Sequence, residues 1–405
     1  MQSNADEWRP ATGSMPKRIL FIETVANGVL GGSTFSLRDL VHSLDRRRFE
    51  PYVVLYSDLA LRGDLEKVCK VILMEQGDRY QSSPGGPAPP SRLRVLGRFL
   101  FHVGAHIVPM TLALSRIIRR ERIDLVHNNN LLDFSLEGIL AAKVCGIPCV
   151  VHQRGIGKVP RLARLLSRYV DVLICISDAV REFCVMEGVP VKRIERVYNG
   201  VEVSRIVPSA GPDSVRGALG FARESPVVGI VGTIQRWKGQ REVILAVSKL
   251  RERFPEIRCL IVGGVYDPAY DAEIRNLTEA LGITKNICFL GHRTDIVDIM
   301  NAMDIVIHAS IAPEPFGRVL IEAMALGKPL VASKAGGPME IVQDHVTGLL
   351  VPPGDVEAMV KAVSILLESK TLAAKMGAAG RRRVEQQFAL RKTIEGVARI
   401  YETVL

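Results

Sequence analysis

The sequence predicts two doubly wound α/β domains, each built on a parallel sheet with helices on both faces. A chain of 405 residues is too long for one domain at roughly 150 residues per domain. Short apolar runs, typical of buried parallel strands, alternate with helix-length segments. This alternation occurs twice, and the two series join near residues 199–201 and a Pro-, Ser- and Gly-containing loop at 208–212. The domains are therefore placed at 17–204 and 205–387, after a polar leader of residues 1–16.

The apolar runs give the expected strands. In the first domain they lie at 18–22, 52–56, 125–127, 149–151 and 172–176, with a helix at 36–44 after a glycine-rich turn. In the second they lie at 227–231, 258–262, 287–290, 304–308 and 329–332. The proline-rich segment 84–90 can be neither helix nor strand. It precedes a mostly apolar segment, 95–118, that either forms a buried helix or lies on a membrane surface.

Composition excludes several classes of protein. Hydrophobic residues make up 47% and charged residues 24% of the chain, as in globular proteins. We find no run of eighteen apolar residues and no apolar core in the leader, so we expect a cytosolic protein without a spanning helix or cleaved signal. The seven cysteines form no Cys-x-x-Cys pair and are predicted to be reduced core thiols, with no metal site.

Positive charge is concentrated in the first half of the chain. The first 205 residues hold 29 of the 53 Lys and Arg residues and 21 of the 43 Asp and Glu residues, hence +8 of the formal charge of +10. No nucleic-acid-binding motif accompanies this charge, so no nucleic acid partner is expected. An anionic membrane surface or a phosphorylated acceptor would fit, as would ordinary solvated basic faces.

Two loops that follow predicted strands could hold phosphate groups, since ligands of parallel sheets collect at the carboxyl ends of the strands. The loop 27–33 lacks the spacings of dinucleotide-binding and P-loop motifs, but Gly31 and Gly32 could admit a phosphate to the backbone. The alternative is a tight turn. In the loop 231–239, Arg236 and Lys238 could clamp a diphosphate, or could be solvated basic residues.

The stretch 309–329 is the most informative part of the sequence. Glu314 lies between Pro313 and Pro315, and a helix is expected to start near Gly317. Glu322 would then lie roughly 7 Å along that helix, at ~1.5 Å per residue. A nucleotide-sugar suits this layout, because helix amides can bind a diphosphate, Glu322 the ribose hydroxyls and Glu314 the sugar. Two solvated glutamates are the alternative. Backbone at Gly336–Gly337 could admit another anionic group.

In combination, these motifs resemble the retaining GT-B glycosyltransferases, specifically glycosyltransferase family 4. The resemblance covers nearly the whole chain from Lys17 onward and is strongest in the two glutamates separated by seven residues, Glu314 and Glu322. The Gly31–Gly32 and Lys238–Gly239 pairs support it, as do the segments 172–177 and 198–201 and the pair Gly336–Gly337. The family implies two Rossmann-like domains facing each other across a cleft, with the last helix, at about 388–405, returning to the first domain.

The resemblance also implies roles for individual residues. Glu322 would hold the ribose, Glu314 with the amides around Phe316 and Gly317 would position the sugar, and Lys238 would bind the diphosphate. Two positions depart from the family. Thr233 stands where an arginine is usual, for which Arg236 could substitute, and Asn129 stands where many members have a histidine. His152 also follows a strand and could touch the acceptor, or could be a structural histidine.

We therefore expect a retaining transferase that moves a hexosyl unit from a nucleoside diphosphate sugar to a hydroxyl of a glycan or lipid-linked acceptor. No cofactor is expected, and no metal, since the sequence contains no Asp-x-Asp. Peripheral contact with an anionic membrane, at its inner face, would suit the basic first domain. A nucleotide-sugar epimerase of the same fold and a binding protein without turnover remain as alternatives. The predicted site residues are as follows: catalytic Glu314, Lys238 and Arg236; donor-binding Gly31, Gly32, Thr233, Phe316, Gly317, Arg318, Glu322 and Gly337; acceptor-side Asn129, His152 and Arg154.

Overall fold

The computed structural model of the chain describes residues 15–24, 31–74 and 103–405. The predictions made for the leader up to residue 14, for residues 27–30 of the glycine-rich turn, for the loop 84–90 and for residues 95–102 lie outside the described residues. The described chain forms two compact units. The first holds the residues up to Ile176, Arg181–Val197 and Ile394–Leu405, and the second holds Ser177–Val180 and Tyr198–Thr393.

The first unit is built on a seven-stranded sheet in which every neighbouring pair is parallel, in the order β3-β2-β1-β4-β5-β6-β7. Its strands are β1 Lys17–Glu23, β2 Phe49–Leu55, β3 Lys70–Leu73, β4 Leu125–Asn128, β5 Cys149–Gln153, β6 Val172–Cys175 and β7 Ile194–Arg196. Its helices are Gly32–Ser43, Arg62–Leu65, Val108–Arg120, Leu136–Cys145 and Arg161–Leu166, with Asp178–Met186 for its greater part. Apolar side chains bury both faces of the central strands.

The second unit is built on a six-stranded sheet, again with parallel neighbours, in the order β10-β9-β8-β11-β12-β13. Its strands are β8 Val227–Val231, β9 Arg258–Val262, β10 Ile287–Gly291, β11 Ile305–His308, β12 Leu330–Ser333 and β13 Leu349–Val351. Its helices are Pro212–Ala218, Gln240–Arg253, Pro268–Ala280, Ile296–Ala302, Arg318–Ala325, Pro338–Ile341, Val356–Glu368 and Lys370–Gln387. The last helix of the chain, Leu390–Val404, begins in this unit and ends in the first.

The predicted fold class, two doubly wound α/β domains with parallel sheets, is confirmed. Three short strands were missed: β3 and β7 at the edges of the first sheet and β13 at the edge of the second. The predicted helix 36–44 begins four residues earlier, at Gly32. The second glycine of the turn thus opens the helix, because the first amides of a helix need no partner inside it and tolerate a residue of low helix propensity.

The described part of the apolar segment 95–118 belongs to an amphipathic helix. A short π-helical turn, Val103–Ile107, leads into Val108–Arg120, whose Leu114, Ile117 and Ile118 are buried. The burial of this face agrees with the predicted buried helix. Val108 and Leu112 lie on the other face and are about half exposed. Across the described parts of the chain, no helix combines the length and apolar character needed to span a bilayer.

Candidate active site

The topology of the second sheet indicates where a ligand would bind. Strands β8 and β11 are neighbours, but the chain leaves them toward opposite edges of the sheet. A crevice opens at the carboxyl ends of strands where the order reverses in this way, and ligands of doubly wound sheets bind there. The loops that follow are 232–239 after β8 and 309–317 after β11. These are the two loops in which the sequence places Lys238 and Glu314.

Glu314 is the centre of a buried polar cluster. Its Oε2 atom lies 2.6 Å from Lys238 Nζ, 3.1 Å from Ser310 Oγ and 3.2 Å from His308 Nε2. The residue is only 8% exposed. Burial by itself raises the pKa of Glu314, but the hydrogen bond from His308 and the charge of Lys238 outweigh it and lower the pKa to about 2. Glu314 is therefore a carboxylate at neutral pH and a strong acceptor of hydrogen bonds.

Backbone contacts hold Glu314 in place. The backbone of Glu314 forms a parallel bridge with Gly336, and Gly337 N–H donates to the Glu314 carbonyl at 2.8 Å. Gly336 has a φ of +70°, and a Cβ atom there would lie 2.3 Å from the Glu314 carbonyl oxygen. The predicted pair Gly336–Gly337 thus permits a close backbone approach, and what it admits in this structure is the Glu314 loop.

Lys238 reaches Glu314 from the 3₁₀ turn Arg236–Lys238, which directly precedes the helix Gln240–Arg253. The turn ends at Gly239, whose φ is +79° and where a Cβ atom would lie 2.0 Å from the Ala309 carbonyl oxygen. This contact sets the turn tightly against the end of β11. Lys238 Nζ also lies 3.9 Å from the centroid of the Trp237 ring, so the ammonium group is held by an ion pair and a cation–π contact.

Arg236 points elsewhere. Its guanidinium group forms a bidentate pair with Glu273, at 2.6 and 3.1 Å, and lies over the Tyr270 ring. The side chain is 58% exposed. Thr233 Oγ1 accepts a hydrogen bond from Gln235 Nε2 at 2.7 Å. Of the two cations that the sequence offers for a diphosphate, the structure therefore joins only Lys238 to the Glu314 cluster.

The second predicted carboxylate, Glu322, lies on the helix Arg318–Ala325. Its Oε1 atom is 2.8 Å from Arg318 Nε, one turn earlier, and its side chain is one-quarter exposed. Gly317 precedes the helix with a φ of +100° and provides no side-chain cap for the first amides. Such amides at a helix N-terminus favour anions. The neighbouring Phe316 is buried and contacts the rings of Tyr198 and Phe388.

The three residues predicted on the acceptor side lie together in the first unit. Arg154 Nη2 donates to Asn129 Oδ1 at 2.7 Å and lies 3.3 Å from His152 Nδ1. Asn129 Nδ2 in turn donates to Glu23 Oε2 at 2.7 Å. These residues follow or end β1, β4 and β5, and the order of the first sheet reverses between β1 and β4. Of the predicted phosphate loop, Gly31 immediately precedes the helix that Gly32 begins, again without a side-chain cap.

Two buried histidines of the first unit, His127 and His152, are neutral. Burial, with a smaller effect of the Arg154 charge, lowers the pKa of His127 to about 3 and that of His152 well below its ordinary value. His127 Nδ1 lies 2.6 Å from the hydroxyl of Tyr401, in the last helix of the chain. His152 is therefore a buried neutral side chain linked to Arg154.

Sequence reasoning missed five polar residues of these clusters: Glu23, His127, His308, Ser310 and Tyr401. A signal existed for His308, since it ends β11, one of the two strands at which the sheet order reverses. The same rule that selected Glu314 therefore also selects His308. No such signal marks Tyr401, which lies 274 residues from its partner His127.

Comparisons with known proteins agree with this architecture. Residues 30–205 match the family described as Glycosyltransferase Family 4, and residues 213–383 match the one described as Glycosyl transferases group 1. The crystal structure of Anabaena HepE in complex with UDP and glucose has a TM-score of 0.78 at 26% identity. The similarity covers 95% of this chain and 99% of that one. The fold is that of the GT-B glycosyltransferases.

Two relatives agree with these family matches. A D-inositol 3-phosphate glycosyltransferase from Salinispora arenicola is 33% identical over 222 residues, 52% of this chain and 49% of that protein. The chain thus spans about half the length of that relative. A GDP-mannose-dependent monoacylated alpha-(1-6)-phosphatidylinositol monomannoside mannosyltransferase from Corynebacterium glutamicum is 30% identical over 296 residues, 68% of this chain and 76% of that protein. The chain belongs to glycosyltransferase family 4.

Proposed function

We propose that this chain transfers a hexosyl unit from a nucleoside diphosphate sugar to a hydroxyl group of a glycan or lipid-linked acceptor. The proposal is supported above all by the Lys238–Glu314 cluster at the strand reversal of the second sheet, with Glu314 in the loop that leads into the uncapped helix N-terminus at Gly317. A cation and helix amides suit a diphosphate, and a carboxylate suits sugar hydroxyls. HepE, which was crystallised with UDP and glucose, is similar over nearly its whole length.

In this proposal the residues act on the leaving group. The bond between the anomeric carbon and the diphosphate breaks, and the acceptor oxygen bonds to that carbon from the same face, so that the configuration is retained. The acceptor proton passes to an oxygen of the departing diphosphate. Lys238 and the amides at Gly317 and Arg318 stabilise the charge that develops on this diphosphate. Glu322 accepts hydrogen bonds from the ribose hydroxyls, and Glu314 accepts them from the sugar.

We also propose that the transfer needs no metal ion. Within the described residues, no group of three His, Cys, Asp or Glu side chains has the arrangement of a metal site. Support for the proposal comes from Lys238 and the helix amides, which provide positive charge where a metal would otherwise act. Turnover measured with and without a chelator tests it, and a loss that added Mg²⁺ restores would contradict it.

The experiment that tests the transfer is incubation with UDP-, GDP- and ADP-sugars, with and without candidate glycan and glycolipid acceptors. Release of nucleoside diphosphate that depends on the acceptor supports transfer. Interconversion of donors would instead indicate an epimerase, and binding without release would indicate a protein without turnover. Lys238→Ala is expected to lower turnover at least ~10²-fold, as for loss of one electrostatic group. Lys249→Ala is the matched control, because Lys249 pairs with Glu357 on an exposed helix surface.

We further propose that the first unit contacts the inner face of an anionic membrane. The exposed side of the helix Val108–Arg120 combines Val108 and Leu112 with Arg116, Arg119 and Arg120. Apolar residues next to arginines favour the interface of an anionic bilayer. Cosedimentation with vesicles of phosphatidylglycerol and phosphatidylcholine tests this, with pure phosphatidylcholine as the control. If the same fraction of the protein sediments with both vesicle types, the proposal is contradicted.

A further inference from the structure

Three hydrogen bonds to the Glu314 carboxylate all reach the same one of its two oxygens. Lys238, His308 and Ser310 all bond to its Oε2 atom, and none of these three bonds reaches Oε1. Lys238 alone would not produce this asymmetry, because an ammonium group on a flexible stem is a point charge that attracts either oxygen. The selection of Oε2 therefore comes from the two directional donors at the end of β11.

His308 is held in a fixed position. It ends a buried strand, its side chain is 5% exposed, and its Nε2 atom lies 3.2 Å from Glu314 Oε2 and 3.3 Å from Ser310 Oγ. The other ring nitrogen, Nδ1, is buried and meets no hydrogen-bond partner among the described residues. The ring therefore meets its hydrogen-bond partners through Nε2, and this nitrogen donates to the Glu314 carboxylate, which can only accept.

We propose that His308, assisted by Ser310, is a positioning residue that fixes the carboxylate of Glu314 so that Oε1 remains available to a hydroxyl of the donor sugar. This inference rests on the proposed function and extends it to residues outside the predicted site. His308 does not touch the reacting atoms. It acts by holding the orientation of a group that does, so its loss affects turnover of the bound donor more than binding of the nucleotide.

The substitutions that isolate this role are His308→Gln and His308→Leu. A glutamine Nε2 can replace the imidazole N–H at a similar distance from the backbone, whereas leucine fills the space without a donor. His308→Leu is expected to lower kcat about 10-fold to 10²-fold, the effect of one hydrogen bond to a charged group. The KM for the donor should change less, and His308→Gln should recover most of the kcat. His42→Leu in the first unit, where the histidine pairs with Asp64, is the matched control.

A second readout does not depend on activity. Carbon-13 NMR of labelled glutamate side chains follows the ionisation of Glu314, with the signal assigned from Glu314→Gln. Lys238 and His308 are the charged or titratable groups that bond to Glu314 among the described residues. Above a pH of ~3, Glu314 should stay ionised in the wild type and in His308→Gln. In His308→Leu a titration step should appear between pH ~3 and ~5, nearer the ordinary glutamate range.

The two readouts separate the possible failures. A titration step in His308→Leu, absent in His308→Gln and joined by a lost and recovered kcat, supports the inference. The same kcat and the same ionisation in all variants would overturn it, and so would a titration step without any change in kcat. If the wild type releases no nucleoside diphosphate with any donor and acceptor, the proposed function fails. The NMR result then still decides whether His308 holds Glu314.

Discussion

Replacing Gly336 by alanine is expected to disturb Glu314 without touching its side chain. Gly336 has a φ of +70°, and the new Cβ atom would lie 2.3 Å from the Glu314 carbonyl oxygen and 3.0 Å from its backbone nitrogen. An ordinary contact begins at 3.4 Å, so the backbone of Glu314 must retreat by about 1 Å. A misplacement of that size at a catalytic group costs about 10²-fold in rate.

The loss of folding stability in Gly336→Ala is a second effect that can be measured. Alanine in the left-handed conformation costs about 1–2 kcal/mol at any site, and the forced backbone shift adds about 1–3 kcal/mol as overpacking. Gly282 separates the two contributions, because its φ is +61° and nothing lies within 4 Å of its added Cβ. Gly282→Ala should therefore show the conformational cost alone, with normal turnover.

Urea denaturation of both variants gives the free energies of unfolding, and acceptor-dependent release of nucleoside diphosphate gives kcat. We expect Gly336→Ala to be less stable than Gly282→Ala and to turn over about 10²-fold more slowly. If the two variants have the same stability and the same kcat, the close approach of Gly336 to Glu314 does not position the carboxylate, and the reasoning is refuted.

Two further predictions concern stability. The pKa of Glu314 is lowered to about 2, so its ionisation stabilises the fold above the ordinary pKa of 4.5, and this contribution is lost as the pH falls from 4.5 toward 2. The difference in unfolding free energy between wild type and Glu314→Gln should shrink by about 3 kcal/mol over that range, and a pH-independent difference would contradict the assignment. Tyr401→Phe removes the partner of buried His127 Nδ1 and should lower the unfolding free energy by about 1–3 kcal/mol in urea titrations at pH 7. A loss below about 0.5 kcal/mol, the range of ordinary surface substitutions, would mean that the bond contributes little.

The sequence predicted the central strands of both sheets because their apolar runs are continuous. It missed β3, β7 and β13, which have only three or four residues and lie at sheet edges. Strands β3 and β7 are buried less completely and carry charged residues, Lys70 in β3 and Glu195 and Arg196 in β7, so their apolar pattern is weak. Strand β13 is apolar but has only three residues. Pairing across the sheet, which single-sequence patterns do not contain, creates these strands.

The parts of the site that follow directly from the positions of strand ends were predictable. Lys238 and Glu314 follow the two strands at which the sheet order reverses, and the helix beginning after Gly317 was expected from the sequence. Which of two nearby cations would face Glu314 was not predictable. In the turn Arg236–Lys238, Lys238 pairs with Glu314 and Arg236 pairs with Glu273. The turn ends at Gly239, which packs closely against the backbone of Ala309, a contact that the sequence alone does not reveal.

The return of residues 394–405 to the first unit has a consequence for biosynthesis. Tyr401 and Val397 belong to the apolar core that also contains strand residues near the start of the chain, such as Ile19 and Phe21. During translation the ribosome releases these early strands long before the segment that completes their core. The core of the nascent first unit therefore stays incomplete while nearly 200 residues of the second unit are synthesised.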